Sequence, residues 1–302
     1  MAKLWRLHLR PKCKDPKDVV RYCLRERILG LGWRGPAQAK GMRGEEYMEE
    51  HRKHWGKVVY AVREFMKVKK NHLIWARDEE GGYLLGRVKS MPHPRWDCNA
   101  KKYDMCHVVS AHIVGGRSGS EAIRDNEVPG LIKARFSQPR SPAFQSINDD
   151  HARDYSCWLF AKKTGADYVP PRPEECFINL LDSYDLEDLV VLYLQQDLNW
   201  RVVLSSHAPN TPRYEVTLVR QSLSAGVQVK HKGQDINASL YKDDAQVDQV
   251  FLFAASGNYG NNIPKNVTII HPDELIEFAR QNLSLLPKSI KYWWDCSLEA
   301  GD

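Results

Sequence analysis

The first half of the chain changes from a helical to a strand pattern of hydrophobic positions. Residues 18–27 and 45–70 carry apolar side chains at helical spacing. Beyond them, short runs rich in β-branched and aromatic residues predominate, and Gly81-Gly82 between two such runs is typical of a β-hairpin. The pattern predicts strands at 4–9, 71–78, 83–88, 107–114 and 131–136. We expect these strands to form a small curved β-barrel with flanking helices.

A proline-rich stretch at 161–176 interrupts this pattern. Such a sequence packs neither as a helix nor as a central strand. We therefore predict two domains, 1–160 and 181–302, joined by a linker at 161–180. After the linker, the predicted elements are a helix at 186–196, strands at 200–204, 214–219, 226–230, 249–254 and 267–270, and a helix at 271–282. This order indicates an α/β domain.

The net charge of +6 conceals an uneven distribution of charged side chains. Residues 1–150 carry 30 Lys and Arg against 18 Asp and Glu, a net charge of +12, whereas the remaining residues carry −6. Because a local basic surface attracts polyanions, the first half is the predicted nucleic-acid-binding part. A solvated charged face is the alternative interpretation.

Membrane insertion and secretion are not predicted. No stretch approaches the roughly 18 consecutive apolar residues of a membrane helix, and the first residues lack the apolar centre of a secretion signal. The seven cysteines are an odd number without a C-x-x-C pair, which indicates reduced thiols. No matched pairs of Cys or His have the spacing of a zinc site. We expect a cytoplasmic protein without membrane contact.

Three polar residues on two neighbouring predicted strands carry the candidate chemistry. Gln228 and Lys230 are two positions apart, so their side chains share one side of a strand, and an adjacent strand brings Glu215 beside them. Phosphodiester cleavage needs a carboxylate and a carbonyl oxygen for a divalent cation, and a lysine for the attacking water and the developing charge. A half-buried strand with a polar edge is the alternative without chemistry.

The acid-bearing helix, the acidic strand and the Gln-x-Lys strand resemble the PD-(D/E)XK nuclease superfamily, and within it the Mrr-like restriction endonuclease branch. The resemblance covers 181–285 and implies a restriction-endonuclease-like mixed sheet flanked by helices. It implies that Glu187 supports the metal site and that Glu215 and Gln228 bind Mg²⁺ or Mn²⁺. Gln228 and Lys230 match the third motif, whereas Glu215 stands where the family more often has aspartate.

The first half has a second, looser resemblance. Gly32-Trp33 after a helix, the strand that contains Trp75, and the Tyr83-Leu-Leu-Gly-Arg-Val88 run resemble the EVE/YTH-like branch of PUA-type barrels. This resemblance implies an aromatic pocket for a flipped, often modified base, and stacking contributes about 1–3 kcal/mol per base. The candidates are Trp33, Trp75 and Trp96 for the aromatic cage, with Asp97 and Asn99 as readers of the base edge. The alternative for each tryptophan is a place in the core.

Two functions follow from these patterns. The first is a Mg²⁺-dependent DNA endonuclease with a domain that reads modified bases, acting in modification-dependent restriction or anti-phage defence. Because duplex cleavage needs two catalytic centres, this function implies a homodimer. The alternative is a non-catalytic protein that binds a nucleic acid or nucleotide ligand, with a degenerate nuclease-like domain. The glutamate at position 215 keeps this alternative open.

Overall fold

The chain forms two compact units in a computed structural model, Met1–Pro173 and Glu174–Asp302. The structure describes residues 2–9, 16–56, 59–78, 81–116, 121–138, 141–166, 177–204, 213–231, 234–255 and 257–298. The division between the units falls inside the segment predicted as a linker, but that segment is helical at its start, where residues 161–164 end the helix Asp150–Thr164, and residues 167–176 lie outside the described residues.

Unit 1 (Met1–Pro173) is built on a curled mixed sheet that forms a half-barrel. Its strands are β1 (Leu4–His8), β2 (Ile28–Leu31), β3 (Leu73–Arg77), β4 (Tyr83–Val88), β5 (His93–Pro94), β6 (His107–Gly115) and β7 (Phe144–Ile147). Their order is β2-β6-β4-β3-β1-β7, and β5 pairs with β6. Only β1 and β3 pair in parallel among these described strands. The described strands therefore form an open, curled sheet, a half-barrel where the sequence predicts a small curved β-barrel.

Six helices flank this sheet within the described part of unit 1. They are α1 (Pro16–Glu26), α2 (Gly44–Trp55), α3 (Val59–Phe65), α4 (Cys98–Lys102), α5 (Gly130–Ser137) and α6 (Asp150–Thr164). The Asp149 side chain caps the start of α6 by accepting from the Ala152 amide at 2.8 Å. Helix α3 packs on β7, where Phe65 meets the Phe144 ring edge to face at 5.1 Å. The packing of Phe65 on Phe144 holds α3 against the sheet.

The predicted strand at 131–136 is wrong, because these residues belong to helix α5. Ile132 and Phe136 are its buried apolar side chains, four positions apart, and this spacing places them on one face of a helix. In so short an apolar run, strand and helix patterns are not distinguishable from the sequence. The structure also divides residues 45–70 into α2 and α3, since α2 ends at Trp55 and the following Gly56 has φ +58°.

Unit 2 (Glu174–Asp302) has a five-stranded mixed sheet with flanking helices, as the α/β pattern predicts. Its strands are β8 (Arg201–Val202), β9 (Val216–Arg220), β10 (Leu223–Lys230), β11 (Gln249–Ala254) and β12 (Val267–Ile269), and its helices are α7 (Ser183–Gln196), α8 (Pro272–Gln281) and α9 (Lys288–Leu298). The order is β12-β11-β10-β9-β8. Strands β10, β11 and β12 run parallel, whereas β8 and β9 are antiparallel to their neighbours. Gln228 and Lys230 thus lie on the central strand β10, and Glu215 directly precedes β9.

Within the ranges given above, every helix is too short or too polar to cross a membrane.

Candidate functional site

The register between β9 and β10 places Glu215 opposite Gln228. Val216 pairs with Val227 in this antiparallel ladder, and the Glu215 amide donates to the Val227 carbonyl at 2.8 Å. Continuing the same register by one residue sets Glu215 across from Gln228. Because side chains directly opposite each other in a ladder lie on the same face, their contact follows from the backbone alone.

The three polar side chains predicted from the sequence meet at one oxygen atom. Gln228 Nε2 donates to Glu215 Oε1, and Lys230 Nζ donates to the same oxygen at 3.3 Å. Gln228 is buried, with 6% of its surface exposed, whereas the Glu215 and Lys230 side chains are about one-third exposed. The arrangement fixes a partly exposed carboxylate beside an ammonium group.

The Gln228 amide faces Glu215 with its nitrogen. In this orientation the glutamine orients the carboxylate by a hydrogen bond and does not direct its own carbonyl oxygen to the same point. A half turn of the amide about its last bond exchanges the two atoms. The predicted role of Gln228 as a metal ligand therefore requires that turn, and its role as an orienting donor does not.

A cavity of about 250 Å³ in unit 2 lies against Glu215. The described residues that line it are Glu187, Asp188, Val191, Val202, Leu204, Glu215, Val216, Val227 and Val229. Glu187 and Glu215, predicted as parts of one site, therefore border the same space. Val227 and Val229 alternate along β10 with Gln228 and Lys230, so this lining comes from the face of β10 opposite the Gln-x-Lys pair, and Glu215 is the residue of the polar contact that also borders the cavity.

Helix α7 brings two acidic residues to the cavity. The Asp182 side chain caps its first turn by accepting from the Asp185 amide at 2.9 Å. Its apolar side, which includes Leu186 and Leu189, is buried. Glu187 and Asp188 follow on the flank that borders the cavity. Sequence reasoning missed Asp188, although a second carboxylate in the same helical turn is the signal that would have indicated it.

A polar cluster fixes the segment just before Glu215. The Tyr214 hydroxyl donates to Asp244, whose carboxylate also pairs with Arg213 Nε at 2.8 Å. Burial and the neighbouring Asp244 carboxylate raise the pKa of Tyr214, so its hydroxyl remains a donor. A Cβ at Gly226 would lie 2.5 Å from the Tyr214 ring, which explains why a residue without a side chain stands there on β10. This packing positions the backbone that presents Glu215.

Three carboxylates, those of Glu187, Asp188 and Glu215, border this cavity, and carboxylate oxygens are the ligands that hard divalent cations prefer. Among the described residues, no group of three or more His, Cys, Asp or Glu side chains is arranged to hold a metal ion. Mg²⁺ does not need such a cage, because it usually keeps several water ligands and binds through one or two carboxylates. Glu187 and Glu215 are the residues that would supply them.

A second cavity, of about 280 Å³, lies in unit 1. The described residues that line it are His8, Leu9, Gly30, Leu31, Gly32, Trp33, Arg34, Trp55, Asp104, Met105 and Ala143. It contains Trp33 from the predicted aromatic cage, together with a second indole, Trp55, that the sequence analysis did not single out.

The other predicted cage residues lie elsewhere in unit 1. Trp75 is fully buried on β3, and its indole N–H donates to Ser156 Oγ at 2.9 Å. The Trp96 ring is covered by the Arg34 guanidinium, 5.5 Å from its centre. Asp97 caps α4 by accepting from the Ala100 amide at 2.9 Å, and Asn99 lies within that helix. The structure therefore does not assemble the predicted cage, because β3 directs Trp75 into the core and Asp97 serves as a helix cap.

Two buried histidines hold the loop that carries Trp33. His51 Nε2 lies 2.6 Å from the Trp33 carbonyl oxygen, and His107 Nδ1 lies 2.8 Å from that of Gly32. Tyr47 contacts the other ring nitrogen of His107 through its hydroxyl. Burial lowers the pKa of His107 to about 3 and lowers that of His51, so both rings are neutral near pH 7. A neutral imidazole has one N–H, and a carbonyl oxygen only accepts. The proton therefore lies on His51 Nε2 and on His107 Nδ1, and the Tyr47 hydroxyl donates to His107 Nε2.

We expect mild acid to destabilise unit 1 through these histidines. The pKa of His107 is about 3 when folded and 6.5 for an unperturbed imidazole, so the unfolded chain binds more protons between these values. Stability present at pH 7 is lost as the pH falls below 6.5, at about 1.4 kcal/mol per pH unit. Urea denaturation at pH 7 and pH 5 should show a loss of about 2 kcal/mol from His107. A His107→Asn variant should lose less stability over this range, and an unchanged pH dependence would contradict the assignment.

Comparison with known proteins adds no family assignment: no protein-family model, no curated protein and no solved structure matches this chain.

Proposed function

We propose that unit 2 hydrolyses phosphodiester bonds of DNA in a reaction that depends on Mg²⁺ or Mn²⁺. The observation that carries this proposal is the meeting of Gln228 and Lys230 at one oxygen of Glu215, which borders the same cavity as Glu187. Carboxylates for a cation beside a lysine are the groups that this chemistry needs. The whole chain would then serve as a modification-dependent restriction enzyme or anti-phage defence nuclease.

Each residue of the site has a distinct task in this proposal. Glu187 and Glu215 would hold the cation, which supplies Lewis-acid activation of the scissile phosphate. The Lys230 ammonium orients the attacking water and offsets negative charge at phosphorus. Gln228 keeps the Glu215 carboxylate in one orientation through its amide hydrogen bond. The burial of Gln228 limits the rotation of that amide and so supports this positioning.

Unit 1 would bind the DNA and inspect a base in this proposal. The net charge of +12 over residues 1–150 favours contact with phosphates, whereas the rest of the chain, at −6, does not. The cavity beside Trp33 offers an aromatic surface for an extruded base. Two such chains would be needed to cut both strands, so we expect a homodimer on DNA, which size-exclusion chromatography with light scattering would detect.

Plasmid cleavage tests the nuclease assignment. We expect the whole protein to cut plasmid DNA, prepared with or without cytosine methylation, in Mg²⁺ or Mn²⁺ but not in EDTA. Lys230→Ala should lower the cleavage rate by about a hundredfold, since general electrostatic contributions of this kind are of that size. Lys242→Ala, an exposed lysine of the same unit, is the matched control. Equal rates for wild type and Lys230→Ala would refute the assignment.

The composition of the unit 2 cavity favours a second candidate, a non-catalytic binding protein. Of the described residues that line it, six are aliphatic and three are acidic, so the space is less polar than phosphate binding needs. In that case unit 2 would be a degenerate nuclease-like or assembly module. Retention of DNA or a nucleotide by the wild type, without cleavage in either metal, is the result that would establish this alternative.

A further inference from the structure

The unit 1 cavity combines flat aromatic surfaces with one carboxylate. Trp33 and Trp55 contribute indoles, and Asp104 contributes the acid. Apolar side chains such as Leu31 and Met105 complete much of the described lining. A small apolar cavity with a few polar groups is the usual form of a ligand site. The volume of about 280 Å³ suits one small ring system with its substituents.

Hydrogen bonds fix the indole of Trp55 and the backbone of Trp33. Trp33 has φ +58°, a conformation that costs energy for a bulky residue, and His51 Nε2 holds its carbonyl oxygen at 2.6 Å. Trp55 is 37% exposed, and its indole N–H donates to the Arg34 carbonyl at 2.6 Å. The Trp55 ring and the loop that carries Trp33 are therefore in place before any ligand arrives, which lowers the entropic cost of binding.

The position of Asp104 against the loop depends on Gly32. A Cβ at Gly32 would lie 2.4 Å from Asp104 Oδ1 and 2.5 Å from Oδ2, so any other residue would displace this carboxylate. Asp104 itself has φ +51°, which aspartate adopts more readily than most residues. Gly32, which leaves room for no side chain, and Asp104, with its positive φ, thus place one carboxylate at the wall of an aromatic cavity.

We propose that this cavity binds a nucleobase that carries an exocyclic amino group, with its ring against Trp33 and Trp55 and its amino edge at Asp104. An ionised carboxylate only accepts hydrogen bonds, so it favours a base edge that carries N–H donors. Guanine, cytosine and adenine carry an amino group. Thymine instead presents two carbonyl oxygens beside its single N–H, and these oxygens repel the carboxylate. The indoles contribute affinity for any base, and Asp104 contributes the discrimination.

This inference deepens the proposed base-reading function of unit 1 and is independent of cleavage by unit 2. Binding of deoxynucleosides to the whole protein in EDTA, followed by ligand-observed NMR titration, tests it without any reaction. A protein that binds these nucleosides but does not cut DNA would refute only the nuclease. A protein that cuts DNA but binds none of them would refute only the cavity assignment.

Selectivity among four nucleosides is the measurement that decides. We expect deoxyguanosine, deoxycytidine and deoxyadenosine to bind more tightly than thymidine. Asp104→Asn, which keeps the shape and removes the charge, should weaken binding of these three by about fivefold and strengthen binding of thymidine, whose carbonyl oxygens no longer face a negative charge. Trp55→Ala should weaken binding of all four by about tenfold or more. Asp125→Asn and Tyr60→Ala, at exposed positions of the same unit, are the matched controls.

Three results would overturn the proposal. They are the absence of saturable binding for all four nucleosides, equal affinity of the wild type for thymidine and the amino-bearing bases, and an Asp104→Asn effect that does not distinguish thymidine. Because Trp55 lies partly exposed at the end of α2, its replacement leaves the core intact. The Trp55→Ala variant therefore keeps the test decisive if Asp104→Asn unfolds.

Discussion

Replacing Glu215 with glutamine is expected to lower metal-dependent DNA cleavage by about three orders of magnitude, because a lost metal-binding charge removes several kcal/mol of transition-state stabilisation. Among the described residues of unit 2, Glu215 alone both borders the cavity shared with Glu187 and accepts from Gln228 and Lys230. Glutamine has the same length as glutamate, so the packing is retained while the charge is removed. Initial rates of plasmid cleavage in Mg²⁺ measure the effect.

The Glu215→Asp variant separates the charge from the reach of the side chain. It keeps the carboxylate and shortens the side chain by one methylene, so we expect it to retain much more activity than Glu215→Gln. Glu277→Gln on α8, where Glu277 pairs with Arg280 at 2.9 Å on the surface, is the matched control. Full activity of Glu215→Gln would mean that another group holds the cation.

The meeting of Glu215, Gln228 and Lys230 was predictable because it depends on short-range regularities. Strand periodicity places Gln228 and Lys230 on one face, and a tight turn joins β9 to β10 with Gln221 at φ +53°. Such a turn fixes the register over the whole ladder, including the pairing of Glu215 with Gln228. The cavity was not predictable, because it depends on how α7 lies against the sheet.

The unit 1 site shows the limits of a local pattern more clearly. Trp33 and Trp55 are 22 positions apart, and the histidines behind the loop come from two different elements, α2 and β6. No periodicity links such residues, since only the packed core brings them together. The sequence shows which residues are tryptophans, but only the packed structure shows which of them line a cavity and which are buried in the core. Trp75 has the same chemistry as Trp33 and lies on a fully buried strand position instead.

Replacing Trp75 with alanine is therefore expected to destabilise unit 1 by about 3–5 kcal/mol, the usual cost of truncating a large buried aromatic residue. Its ring is fully buried and meets Tyr83 edge to face at 6.2 Å. Its indole N–H donates to Ser156 Oγ, 81 residues away on α6, so the side chain joins the sheet to that helix. Urea denaturation of the whole chain, with hydrogen exchange to locate the loss in unit 1, measures the effect.

Two variants separate the contributions of the Trp75 ring and its hydrogen bond. Trp75→Phe keeps an aromatic ring and removes the donor, while Ser156 retains its own bond to the Ala152 carbonyl, so we expect a loss of only about 1–2 kcal/mol. Trp55→Ala, at a partly exposed position, should leave the free energy of unfolding nearly unchanged and weaken base binding instead. If Trp75→Ala instead kept its free energy of unfolding and no longer distinguished the bases, Trp75 would belong to the recognition site. A core residue cannot be removed without a cost in stability.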